Sequence, residues 1–66
     1  MLEVLLLKYE AEMEIAKANI KVYLENPSGI GEHPDIVEAL ETQVRRYSEA
    51  REMYQATAKI LRSFDE

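Results

Sequence analysis

Glu32, His33 and Asp35 set the chain's single imidazole among carboxylates within one short stretch, "NPSGIGEHPD" at residues 26 to 35. Such a group could hold a divalent ion or form a proton-transfer pair. A catalytic zinc site, however, takes three protein ligands oriented by a second layer of hydrogen bonds, and this chain has one histidine and no cysteine. A metal bound through His33, Glu32 and Asp35 therefore requires several copies to meet about a symmetry axis. The same residues have a simpler use in starting a helix. Pro34 suits the first helical position, where its missing N–H costs nothing, and Asp35 and Glu38 complement the positive end of the helix dipole. We read the stretch mainly as a corner and helix start, with no catalytic residue, no cofactor and no metal, and with contact to a partner as its rival role.

Other chemistry-bearing patterns also resolve into structural roles. The glycines of "SGIGEH" could cradle a phosphate at a helix N-terminus, but no strand precedes them, no lysine follows, and Glu32 and Asp35 repel an anion. Glu10 with Glu14 and Glu38 with Glu41 have the spacing of carboxylates in a di-iron bundle, yet the histidine half of that motif is missing. They read instead as solvated faces shared with Lys17, Lys21 and Arg45, and Glu41 to Arg45 has the favourable i, i+4 order. Tyr9, Tyr23, Tyr47 and Tyr54 would be base-stacking candidates in a basic protein; here they fall on helix seams, rings inward and hydroxyls at the rim. Arg51 is the one charged residue on such a seam. Near Tyr9 and within a turn of Glu12, it is a candidate for fixing register or partner choice.

Two helices must position these residues. From Leu2 to Glu25 the sequence holds no glycine or proline and is rich in residues that lose little on entering a helix. Pro27 disfavours helix at Asn26, so the first helix is predicted over 2–25. A corner follows over 26–33, with Pro27, Gly29, Ile30, Gly31 and Pro34 as its shaping residues and the glycines free to take positive φ around Ile30. The second helix is predicted over 34–63. The fold class is all-α, one antiparallel helical hairpin spanning residues 1–66. At 1.5 Å per residue the helices measure roughly 35 and 45 Å.

The apolar spacing sets the packing. Leu2, Leu6, Tyr9, Met13, Ala16, Ile20 and Tyr23 form one seam, answered on the second helix by Val37, Leu40, Val44, Tyr47, Arg51, Tyr54, Ala58 and Leu61. Folding about the corner pairs positions summing to about 60, such as Ile20 with Leu40 and Met13 with Tyr47. A second stripe, Val4, Ala11, Ile15, Ala18 and Val22, lies on another side of the first helix, with Ile15 about 200° from Met13. Met53, Ile60 and Phe64 repeat it more weakly on the second. Two helices leave this stripe uncovered, so we expect these eight residues to form an oligomer interface, most simply a four-helix bundle of two hairpins. The spacing does not choose between dimer and tetramer, and a different protein partner would cover the same surface.

Composition bounds the function. Thirteen acidic against eight basic residues give a net charge of −5, which repels nucleic-acid backbones and anionic membranes. Glu3, Lys8 and Glu10 interrupt the apolar start, which is read as neither signal peptide nor anchor. The absence of cysteine fits a reducing compartment, and the expected location is the cytoplasm. The sequence thus points to a non-enzymatic oligomeric interaction or assembly module. The alternative is an acidic regulator that blocks a basic surface as a nucleic-acid mimic, although the interspersed Lys17, Lys21, Arg45, Arg46 and Lys59 argue against it. Third comes the metal protein using His33 at a symmetric interface.

The corner "ENPSGIGEHPDIVEALE" resembles a segment of short two-helix proteins of unknown function, encoded by contractile-tailed marine bacteriophages and abundant in marine viral metagenomes. The resemblance rests on Asn26, Pro27, Gly29, Ile30, Gly31, Glu32, His33, Pro34, Asp35 and Ile36. It implies a helical hairpin and a phage or marine microbial source, hence a phage accessory or structural protein in the host cytoplasm. It transfers no activity, cofactor or catalytic residue.

Overall fold

The computed structural model describes residues 1–26 and 33–65. Two helices, α1 over Leu2–Glu25 and α2 over His33–Asp65, pack against each other as a hairpin. The expected turn around Pro27, Gly29, Ile30 and Gly31, together with Glu32, lies outside the described residues. Helix α2 already includes His33, which the sequence reading places just before the helix.

Helix α1 stops where the sequence forces it to. Asn26 precedes Pro27 and leaves the helical region at φ −141°, ψ 65°, while its N–H still donates to the Val22 carbonyl at 2.9 Å. At its start Val4 N–H bonds back to the Met1 carbonyl at 3.1 Å. Helix α2, with 33 residues against 24, is about 50 Å long at 1.5 Å per residue and accounts for the 52 Å long axis of the molecule. Its overhang carries Phe64, which is largely exposed.

The helices meet along a narrow line. Ala16, fully buried, and Ala50, 2 % exposed, are the buried apolar residues among those described, and Gln43 and Thr57 are the buried polar ones. On α2 the line runs through Ile36, Leu40, Gln43, Tyr47, Ala50, Tyr54, Thr57 and Leu61, in strict steps of four and three. This corrects the expected seam at four positions: Val37 and Val44 are 63 % and 56 % exposed, Arg51 is exposed and Ala58 is only half-buried, while their neighbours Ile36, Gln43, Ala50 and Thr57 turn inward. The physical reason is size. Helix axes approach closely only where small side chains meet, so Ala16 and Ala50 take the centre and bulkier residues move to the flanks.

One polar contact crosses the line. Asn19 Nδ2 donates to Gln43 Oε1 at 3.1 Å, in a partly buried setting, and fixes a register within half a turn of the expected one. Asn19→Ala should destabilise the hairpin by about 1–3 kcal/mol, since the nearly buried Gln43 carbonyl loses its donor. Replacing both residues by leucine should be near neutral in stability. A double-mutant cycle by urea denaturation checks this; additive single effects would contradict the coupling.

Candidate functional site

To one side of the buried line runs an open apolar groove. Lys17 and Ile20 from α1 and Val44 and Tyr47 from α2 line one part of it, and Lys21, Leu24 and Glu25 extend it along α1 towards the corner. Heptad spacing repeats these positions along the hairpin, because residues seven apart share a face. The inner rows are Leu6, Met13 and Ile20 on α1 and Leu40, Tyr47 and Tyr54 on α2, all half-buried. The outer rows are Glu3, Glu10, Lys17 and Leu24 on α1 and Val37, Val44, Arg51 and Ala58 on α2. Leu24 at 64 %, with Val37 and Val44, makes the groove's corner end the more exposed apolar surface.

The opposite side of the line differs in chemistry. The half-buried residues there include Glu12 and Asn19, and beyond them lies the second stripe. Val4, Ala11, Ile15, Ala18, Val22, Met53, Ile60 and Phe64 are all exposed, so the hairpin itself buries none of them. The groove side is what sequence reasoning missed. Assigning Val37 and Val44 to the internal seam hid the fact that they border an open surface; the signal available was the strict repeat Ile36, Gln43, Ala50 and Thr57, disguised by two polar members.

The charged candidates are arranged differently from the sequence reading. Arg51 is exposed off the buried line, while Tyr9 and Glu12 are half-buried on α1. The cation over the Tyr9 ring is Lys8, whose Nζ lies 5.9 Å from the centroid. Ion pairs among the described residues join Lys17 to Glu14 and Arg45 to Glu41, each at 3.8 Å, and the Met1 ammonium to Glu3 at 3.2 Å, so Arg51 and Glu12 are not paired within the hairpin. The Glu3 carboxyl sits below the usual carboxylate range, held there first by its own backbone N–H and then by that ammonium. All four tyrosines are half-buried.

The candidate metal group is only partly in view. Glu32 lies outside the described residues, His33 lies in the first turn of α2, and Asp35 is exposed. Among the described residues no group of three or more His, Cys, Asp or Glu side chains is placed to hold a metal ion. Nor, among the described residues, is any helix long and apolar enough to cross a membrane. The chain matches no protein-family model, no curated protein and no solved structure.

The groove assignment makes a simple contrast. Ala50→Leu should cost about 1–3 kcal/mol by forcing the helices apart, whereas Val44→Leu should change stability by less than about 0.5 kcal/mol. Thermal melts followed by circular dichroism measure both. Equal effects would return Val44 to the seam.

Proposed function

We propose that the protein is a non-enzymatic, self-associating helical hairpin that serves as a small assembly or interaction module. The observation that carries this reading is the poverty of the hairpin's own core. Among the described residues the buried apolar side chains are two alanines, and no large side chain is fully buried. Ordering a chain costs about 1–2 kcal/mol per residue in backbone entropy, and methyl groups on one narrow line cannot offset that. Meanwhile Val4, Leu7, Ile15, Leu24, Val37 and Val44 are among the large apolar residues left exposed. Apolar surface on this scale in a short chain marks an association surface.

Self-association buries part of that surface with the fewest parts, since symmetric oligomers are the common assembly of soluble chains. The net charge of −5 then opposes unlimited aggregation of the apolar faces.

The reading predicts that folding and assembly are linked. Light scattering on a size-exclusion column, with circular dichroism at each step of a dilution series, should give an oligomer whose helicity and melting temperature fall together on dilution. A stable helical monomer at every concentration would overturn it.

A further inference from the structure

Resting on that reading, we propose which surface the second copy covers and how it is oriented: it seats on the groove side, related by a two-fold axis parallel to the helices, with Glu10 of each copy paired to Arg51 of the other. Such an axis places α1 of one hairpin beside α2 of its mate, running antiparallel, and sets outer row against outer row. It also leaves the height of every residue along the bundle unchanged.

Heights follow from the Asn19–Gln43 hydrogen bond. Nine residues back along α1 and nine forward along α2 from that contact lie Glu10 and Glu52, so Glu10 and Arg51 share a level to within about 1.5 Å, one residue's rise. Counted the same way, Lys17 is level with Val44 and Leu24 with Val37, each to within one residue. Across the two-fold, Leu24 then meets Val37, the aliphatic stem of Lys17 lies over Val44 with its ammonium outward, and Glu10 meets Arg51. The inner rows Leu6, Met13, Ile20, Leu40, Tyr47 and Tyr54 close over one another as the shared core.

The other simple arrangement fits less well. A two-fold perpendicular to the helices sets each row against its own reverse; bringing Glu10 to Lys17 then brings Leu24 to Glu3 and Val44 to Arg51, placing charges on apolar side chains. The opposite side of the hairpin is a poorer seat, because half-buried Glu12 and Asn19 lie along its inner edge and a dry interface would bury them.

The test uses the full chain. Glu10 and Arg51 are exposed and in no ion pair among the described residues, so Glu10→Arg and Arg51→Glu remove no ion pair described within the hairpin. Each single reversal creates two like-charge contacts per dimer and should raise the dissociation constant about tenfold or more, while the double variant returns to within about threefold of the parent. Mixing the two single variants should give a one-to-one heterodimer by native mass spectrometry, because both contacts are then complementary. Coupling within one chain cannot produce that recovery. Singles that dimerise like the parent, or a mixture that stays weak, would overturn this arrangement while leaving self-association standing. A parent that is monomeric at all concentrations would overturn the functional reading itself.

Discussion

The close approach of α1 and α2 along a line of small and polar side chains governs the rest of the molecule. Ala16 and Ala50 let the helix backbones come near, and the Asn19–Gln43 hydrogen bond sets their register. A line so narrow cannot shelter large residues. Leu6, Met13, Ile20, Leu40 and Tyr47 are therefore held half-buried at its edge, and Leu24, Val37 and Val44 stand further out. The feature that joins the helices is thus also the feature that leaves the hairpin incomplete. Two helices present a groove whose floor is apolar and whose borders mix charged with apolar residues.

Much of this was legible in the sequence. The uninterrupted helix formers, Asn26 before Pro27, and Pro34 with Asp35 locate two helices and a break by local chemistry alone, and the structure has those helices packed as a hairpin. The register was legible too, because few pairings align two long stripes. The rotation of α2 was not. Ranking residues by hydrophobicity selects Val44 over Gln43 and offers no reason to choose Ala50 over its neighbours at the centre. Close packing reverses both choices, since a small residue allows approach and a glutamine is tolerated inside once Asn19 supplies its partner. The error of one residue on α2 moved Val37, Val44 and Arg51 from the inside to the border of the groove. Arg51 thereby changes from an oddity in a seam to an exposed charge with a level counterpart in Glu10.

The charge pattern gains meaning in the same frame. Taken as a total, the net charge describes repulsion from other polyanions and from excess copies of the same chain. Taken by position, glutamates, lysine and arginine occupy the groove's borders while its floor is uncharged. This is the usual division of labour in helical bundles, in which the apolar floor supplies affinity and the charged border sets orientation and partner.

The central claim is that a second copy occupies the groove side, and isotope-filtered NMR on a one-to-one mixture of labelled and unlabelled chains tests it most directly. The account predicts intermolecular nuclear Overhauser effects from the methyl groups of Ile20, Leu24, Val37 and Val44. Intermolecular effects confined to Val4, Ile15, Val22 and Ile60, or none in a chain that is fully helical, would contradict it.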